Sequence, residues 1–323
     1  MMKFTVKILF SLVLIFAPTN FAFGQTVATP VDLETILKKS AEQTVVYEEE
    51  FKNLLAKETK MVENYGKNGE VKKQSIIEAN FVVYQSLRDK NIISEFRNIV
   101  KVDGKSVADG DKTPDEFFSQ LPKTGSVEKE LEKVQKESSR YDKTLEIQGL
   151  TLLQAPVLSD NLRSFFDFQL VGTEIIQGNE VFVVGYQQTK KSPYISVNEK
   201  DSKSNELSLN FRLDVPSSLK KAGVFLRGKM WVDAKTFQLW REERELTAQT
   251  ENPLVLLRTE FEYQPSDFGI LVPKQISLEQ YNIKKSSEKN QFAAVKNTKV
   301  SFDYSRFTKT NVEVKILDDE PNN

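Results

Sequence analysis

The 323-residue chain contains no histidine and no cysteine, and this removes most of the side-chain chemistry on which enzymes depend. Histidine is the usual general base near neutral pH, and histidine and cysteine together supply most zinc ligands. Ser-His-Asp and Cys-His catalysis are therefore excluded, as are zinc sites built on either residue. The remaining possibilities are paired carboxylates, a serine with a lysine, or a calcium or magnesium site made of oxygen ligands.

A Ser-x-x-Lys spacing occurs from Ser126 to Lys129. It could represent a nucleophile with its base, but the partner motifs of such enzymes do not both follow it in the sequence. A serine that caps the start of a helix explains the same spacing, and we predict a cap. The sequence also has no acidic calcium loop and no glycine-rich phosphate-binding loop.

The nearest approach to a carboxylate site is a group of acids on two predicted adjacent strands, namely Glu242, Glu243, Glu260 and Glu262. Arginines are interspersed among them at positions 241, 244 and 258. We expect all these acids to point outward and to form cross-strand ion pairs. The sequence thus predicts a protein without catalytic activity, and no cofactor or metal is expected.

The N-terminal residues have the pattern of a cleavable export signal. Lys3 and Lys7 precede an apolar run over residues 8–17, and Ala22-Phe23-Gly24 supplies a small-x-small cleavage site before Gln25. The alternative is a retained membrane anchor, but a bilayer-spanning helix needs about 20 apolar residues and this run is shorter. We therefore expect residues 1–24 to be a signal peptide and the mature protein to be periplasmic or secreted.

Composition limits the partners and the source of stability. Without cysteine an exported chain can form no disulfide, so its stability must come from a buried core. Residues 1–24 hold two of the 45 basic residues and no acid, which leaves 43 bases against 46 acids and a net charge of −3. A near-balanced charge argues against nucleic acid as a partner.

The first predicted element is a long amphipathic helix that starts at Thr29-Pro30. Its apolar stripe consists of Leu33, Ile36, Leu37, Thr44, Tyr47, Phe51 and Leu54. Such a stripe fits a helix on a membrane surface or one that packs on a sheet. The acidic run at residues 48–50 would be repelled by anionic lipid, so packing on a sheet is favoured.

The rest of the chain alternates between predicted strands and one helical insertion. Strands are expected at residues 59–65, 76–87 and 92–102, and helices from Pro114 and Ser126 within an insertion at about 112–145. From Leu162 the pattern is almost entirely that of strands, interrupted by a polar segment at 189–206 that we expect to be a flexible loop. The tail at 316–323 is expected to be disordered.

Period-two alternation shows that one side of the predicted sheet is apolar. In residues 255–263, Val255, Leu257, Phe261 and Tyr263 alternate with mostly charged neighbours. Such a sheet must cover its apolar side with helices. The predicted fold class is α+β: residues 25–315 form one domain with a large, curved antiparallel sheet (a half-barrel), whose concave face is covered by the N-terminal helix and the helical insertion.

Two segments resemble a known superfamily. Residues 228–239 (Gly-Lys-Met-Trp-Val-Asp-Ala-Lys-Thr-Phe-Gln-Leu) are similar to the Gly-x-x-Trp-Val-Asp-x-x-Thr hairpin of the LolA/LolB-like periplasmic lipoprotein carriers, and residues 268–273 (Phe-Gly-Ile-Leu-Val-Pro) resemble a second recurrent piece of those proteins. Residues 96–105 separately resemble a strand-turn element of uncharacterised exported bacterial proteins.

The resemblance implies a cavity between the half-barrel and its helices that accepts a lipid, a lipoprotein acyl chain or another apolar ligand. The aromatic candidates to line it are Phe165, Phe166, Phe168, Trp231, Trp240, Phe261 and Tyr263. These side chains could instead fill a solid core between sheet and helices. In that case the protein would be an envelope interaction or sensor scaffold with a protein partner.

Overall fold

The computed structural model describes residues 31–86, 89, 92–108, 110, 113–119, 121, 126–141, 150–197, 207–213, 215–216, 219, 223–285 and 292–309. The predicted signal peptide, the predicted helix start at Thr29-Pro30 and the predicted tail lie outside these residues. No helix in the described ranges has the length and apolar character needed to cross a bilayer.

The first helix, α1, spans Leu33–Phe51, and Asp32 caps its N-terminus. The Thr35 backbone N–H donates to Asp32 Oδ1 over 2.9 Å, which satisfies one of the free donors of the first turn. The buried side of α1 carries Ile36, Leu37, Tyr47 and Phe51, in agreement with the apolar stripe. Asp32 is the N-cap because it lies three residues before Thr35, whose backbone N–H has no acceptor within the helix.

The strands follow in chain order as β1 (Leu54–Tyr65), β2 (Val71–Gln85), β3 (Ile93–Val102), β4 (Lys105–Ser106), β5 (Phe166–Ile176), β6 (Asn179–Gln188), β7 (Ile195–Val197), β8 (Leu209–Phe211), β9 (Val224–Asp233), β10 (Leu239–Ala248), β11 (Leu254–Gln264), β12 (Val272–Lys285) and β13 (Phe292–Lys309). The helices after α1 are α2 (Pro114–Ser119), α3 (Val127–Ser138), a 3-10 helix (Pro156–Leu158) and α4 (Asp160–Arg163).

In the described residues, an open, antiparallel eleven-stranded sheet forms the body of the fold, in the order β4-β3-β2-β1-β13-β12-β11-β10-β9-β6-β5. Strand β13 fits between β12 and β1, so the last described strand joins the two halves of the sheet. The predicted fold class, an α+β protein built on a large antiparallel sheet, is confirmed.

The two faces of the sheet carry different helices. Phe51 of α1 packs near Phe81, with ring centroids 6.1 Å apart, and we call this side the α1 face. The neighbouring residue of β2, Val82, points to the other side and belongs to a core cluster with Val134 of α3. We call that side the α3 face.

The prediction that the N-terminal helix and the insertion cover the same face is therefore wrong. Phe117 and Phe118 of α2 pack on Phe96 of β3. Phe96 precedes the α1-face residue Arg97 in the strand, so it points to the α3 face, where it joins the cluster of Val82 and Val134. Strands β2 and β3 carry buried apolar residues on both faces of the sheet. Their alternation is therefore compatible with a helix on either face.

Two segments between β4 and β9 differ from a simple series of hairpins. Residues 150–163, which include the 3-10 helix and α4, are largely buried, and we call them the strap. Within the predicted flexible loop at 189–206, residues 195–197 form β7, which pairs in parallel with β8. This part of the loop prediction is corrected, and residues 198–206 lie outside the described residues.

Candidate functional site on the α1 face

A buried carboxylate, Glu242, is fixed on the α1 face by contacts to both of its oxygens. Glu242 is fully buried and lies opposite Met230 of β9 and Phe261 of β11. Arg244 holds it with two bonds, from Nε to Oε1 at 2.6 Å and from Nη2 to Oε2 at 2.7 Å. Such a bidentate pair is stronger and more directional than a single-bond contact.

The same carboxylate ties the strap to the sheet. The Ala155 backbone N–H donates to Glu242 Oε2 over 3.1 Å, and Arg244 Nη2 donates to the Leu153 carbonyl oxygen over 3.1 Å. The Tyr186 hydroxyl donates to Glu242 Oε1 over 3.1 Å. Ala155 adopts a left-handed backbone conformation with φ of 38°, which is unfavourable for a non-glycine residue and is held here by the surrounding contacts.

A second buried cluster holds the start of the strap. Arg97 Nε lies 2.8 Å from Glu58 Oε1, and Arg97 Nη1 lies 3.0 Å from Glu95 Oε2. Glu95 Oε1 accepts from both the backbone N–H and the hydroxyl of Thr151, at 2.6 and 2.7 Å. The Tyr47 hydroxyl of α1 donates to the Thr151 carbonyl oxygen over 2.6 Å. Sheet, strap and helix α1 therefore meet at Thr151.

Burial and the paired charges together shift the pKa values of these clusters. It raises the pKa of the Tyr186 hydroxyl well above its usual value, and the adjacent Glu242 carboxylate raises it further. Burial and Glu242 likewise raise the pKa of Tyr263. Burial alone would lower the pKa of Arg244, but the Glu242 charge outweighs it and the pKa is raised, so Arg244 stays charged.

The oxygens of the Glu242 carboxylate are already engaged by protein groups. Both oxygens of Glu242 are occupied by protein donors, which leaves no position for a proton-transfer partner or a substrate. Across the described ranges, no group of three or more acidic side chains could hold a metal ion. The two clusters attach the strap to the sheet, and Tyr47 attaches it to α1 at Thr151.

The predicted acidic group is split between the two faces. Glu243 lies beside Glu242 in the sequence but on the α3 face, where it pairs with Arg241 at 2.5 Å. Glu260 is opposite Glu243, and Glu262 is opposite Arg241, so both share that face. Glu243, Glu260 and Glu262 point outward as expected, but Glu243 pairs with Arg241 of its own strand and Glu262 pairs with Lys274 of β12. The expectation is wrong for Glu242, which is buried.

The structure brings some of the aromatic candidates together and separates others. Phe261 and Tyr263 are buried on the α1 face, where Arg244 stacks 4.3 Å from the Phe261 ring centre and Tyr47 meets Tyr263 edge-on. Phe166 and Phe168 pack around Tyr186 on the same face.

The other candidates lie elsewhere. Phe165 packs edge-on against Tyr194, near β7. Trp231 is on the α3 face, where Arg241 stacks on its ring and its indole N–H donates to Glu174 Oε2 over 2.9 Å. The Trp240 indole donates to Asp233 Oδ2 over 2.9 Å and so braces the β9–β10 hairpin.

Several residues of the site were not identified from the sequence, chiefly Tyr47, Glu95, Arg97 and Thr151. One sequence signal could have identified the Glu242–Arg244 pair. Within β10 the two charges occupy alternate positions that continue to the buried Leu246, so they interrupt an otherwise apolar stripe. A charged pair at such positions indicates a buried ion pair.

Comparison with known proteins returns solved structures of low similarity. A putative outer membrane lipoprotein-sorting protein domain from Vibrio parahaemolyticus aligns with a TM-score of 0.36 and 9% identity, covering 87% of this chain and 94% of that one. A LolA superfamily protein from Nitrosomonas europaea aligns with a TM-score of 0.29 and 12% identity, covering 88% and 97%. A DUF1329 family protein from Desulfovibrio piger aligns with a TM-score of 0.32 and 10% identity, covering 85% and 94%.

The superfamily that the sequence motifs resemble is thus found among these solved structures. No protein-family model and no curated protein matches the chain. Identities of 12% and below say nothing about ligand or partner.

Proposed function

We propose that the chain is a non-catalytic cell-envelope protein that binds an apolar ligand, such as a lipid or a lipoprotein acyl chain, on the α1 face of its sheet. The observation that carries the proposal is that a separate segment of backbone, in addition to α1, covers this face. Beside helix α1 lies the strap, a separate piece of backbone that polar contacts attach to Glu95, Glu242 and Arg244. Beneath it lie apolar aromatic side chains, including Phe261.

An apolar chain could take the place of the buried strap side chains while the sheet stays intact. Leu152, Val157 and Leu158 of the strap are all at least nine-tenths buried. A ligand that replaces them would gain similar apolar contacts, because burial of hydrocarbon depends on area and not on direction. The ligand-binding candidates on this face are Phe166, Phe168, Phe261 and Tyr263.

A second candidate function is that of an envelope interaction scaffold with a packed core. It is favoured by the complete burial of Phe261, Val157 and Leu162, since these side chains already fill the space between strap and sheet. A scaffold of this kind would bind its partner through its surface and carry no ligand.

Ligand binding can be tested with a matched pair of leucine variants. Leu152 in the strap and Leu121 in the α3-face cluster are 8% and 5% exposed, and each Leu→Ala change should lower stability by about 2 to 5 kcal/mol. Only Leu152→Ala enlarges the space on the α1 face. We expect it to tighten binding of the fluorescent fatty acid 11-(dansylamino)undecanoic acid several-fold, whereas Leu121→Ala leaves the affinity unchanged.

Protein purified from its native host should also release lipid on organic extraction, detected by mass spectrometry. If the wild-type protein and both variants fail to bind the probe and no lipid is extracted, ligand binding is excluded and the scaffold function stands.

We further propose that the protein works in the periplasm or is secreted after cleavage before Gln25. N-terminal sequencing of protein from the periplasmic and culture fractions tests this. An intact Met1 in cytoplasmic protein alone would contradict it.

A further inference from the structure

Strand β5 forms the long edge of the sheet that the described residues build. Among the described residues it pairs only with β6, while the opposite edge is the two-residue strand β4. Leu170, Val171 and Ile175 of β5 are 38%, 56% and 69% exposed, and these values are high for large apolar side chains in a strand. One side of the β5 backbone therefore offers N–H and C=O groups next to exposed apolar side chains.

Natural proteins usually protect such an edge with lysine, proline or a bulge. Residues 166–176 contain no lysine and no proline. The register shift between Leu170 and Gly172 is a bulge that interrupts pairing locally. On either side of it the edge remains extended and able to pair.

The edge also has a definite charge. The β5–β6 hairpin, residues 166–188, contains Asp167, Glu174 and Glu180 but no lysine or arginine. All three acids are exposed. Glu174 is held in place by the Trp231 indole, and the nearby Arg241 is already paired with Glu243. The hairpin is thus an anionic, apolar edge in a chain whose charges are otherwise nearly balanced.

We infer that β5 docks an extended segment of another protein, which adds to the sheet as a further antiparallel or parallel strand. The segment carries apolar side chains at alternate positions, opposite Leu170 and Ile175, and basic side chains that face the hairpin acids. A second copy of this chain fits less well, because pairing two β5 edges would bring two sets of carboxylates together without a base. The inference does not depend on ligand binding at the α1 face.

The test uses two synthetic ten-residue peptides with equal strand propensity, alternating valine with lysine or valine with glutamate. We expect the lysine peptide to bind the protein and the glutamate peptide to bind at least tenfold more weakly. A lysine peptide with N-methyl groups on alternate backbone amides should also bind at least tenfold more weakly, because it cannot form a ladder. Hydrogen exchange should slow in residues 166–176 when the lysine peptide binds.

Two variants locate the site. Ile175→Lys places a like charge on the edge and should weaken binding of the lysine peptide at least tenfold. Val45→Lys, at a side chain of α1 that is 59% exposed, is the matched control and should leave binding unchanged. Neither change touches a buried contact, so both proteins should fold.

Three outcomes would overturn the inference. The first is that the lysine peptide does not bind the protein, or that it and its N-methylated form bind with equal affinity. The second is protection from exchange outside the β5–β6 hairpin. The third is a dimer of the free protein in sedimentation that Ile175→Lys converts to a monomer, which would assign the edge to self-association.

Discussion

At the scale of single residues, Glu242 and Glu243 show how strand geometry separates neighbours in the sequence. Successive side chains of a strand point to opposite faces, so one carboxylate is buried beneath the strap and the other remains partly exposed. The side chain of Glu242 is 0% exposed and that of Glu243 is 32% exposed. The two positions should therefore respond very differently to the same substitution.

Glu242→Gln should lower the free energy of unfolding by about 3 to 5 kcal/mol, because it leaves the Arg244 guanidinium buried without its counter-charge. Glu243→Gln, the matched control, should cost less than about 1 kcal/mol. Urea denaturation followed by circular dichroism measures both. Equal effects at the two positions would contradict the buried ion pair.

Asp233 should make the β9–β10 hairpin sensitive to acid. Burial raises the pKa of its carboxyl group, but hydrogen bonds from Trp240, Thr236 and Lys235 outweigh burial and lower it below the ordinary value of 3.8. A carboxyl group whose pKa is depressed in the folded state stabilises the protein above its unfolded pKa. This contribution disappears as pH falls through the folded value.

Asp233→Asn should therefore destabilise the protein by about 1 kcal/mol near neutral pH. The difference from wild type should shrink as pH falls below 3.8. Thermal unfolding over a pH series checks the sign. A difference that stays constant with pH would show that the Asp233 charge contributes nothing.

At the scale of elements, α3 shows what amphipathic spacing can and cannot predict. The sequence indicates a helix beginning after Ser126, and α3 spans Val127–Ser138 with Ser126 as its N-cap. Its buried Val134 and Glu130, which accepts from the Tyr84 hydroxyl over 2.6 Å, lie on the α3 face. The apolar stripe predicts that the helix packs on a sheet, but not on which side.

Two alanine variants test whether Ser126 acts as a helix cap. Ser126 Oγ accepts from the Lys129 backbone N–H at 3.4 Å, so Ser126→Ala should cost about 1 kcal/mol of stability. Lys129→Ala keeps the backbone donor and should change stability little. Denaturant unfolding measures both changes, and a larger loss in Lys129→Ala than in Ser126→Ala would contradict the cap.

The strap shows a different limit of prediction. The segment 150–158 is short, mostly apolar and without a clear hydrophobic period. Its residue propensities therefore predict neither a helix nor a strand. Their position depends on Glu95, which is 56 residues from Thr151, and on Glu242, which is 87 residues from Ala155. Local patterns contain no information about contacts over such separations.

At the scale of the whole molecule, β13 joins the parts of the sheet that are farthest apart in sequence. It pairs with β1, where Lys60 is opposite Phe302, and with β12, where Ile276 is opposite the same residue. Phe302 is 1% exposed. The two halves of the sheet should therefore unfold together.

Phe302→Ala should lower the free energy of unfolding by about 3 to 5 kcal/mol. The tryptophans at 231 and 240 lie on distant strands, so their fluorescence reports on the other half of the sheet. We expect the urea midpoints from tryptophan fluorescence and from circular dichroism to fall together. A fall in the circular dichroism midpoint alone would show that the halves unfold separately.

The sequence by itself determined the chemistry that is absent, the type of most elements and the α+β class. These properties follow from residue types and from periods of 2 and 3.6, which are local and can be read over a few residues. The β9–β10 hairpin illustrates this, since its turn, its alternation and its resemblance to a known hairpin all lie within two dozen residues.

Only the tertiary structure decided which face each helix covers, where the strap lies and which charges are buried. Alternation separates the two sides of a strand without stating which partner covers either side. The choice depends on packing between residues far apart in the chain, such as Tyr47 with Thr151 and Glu242 with Ala155.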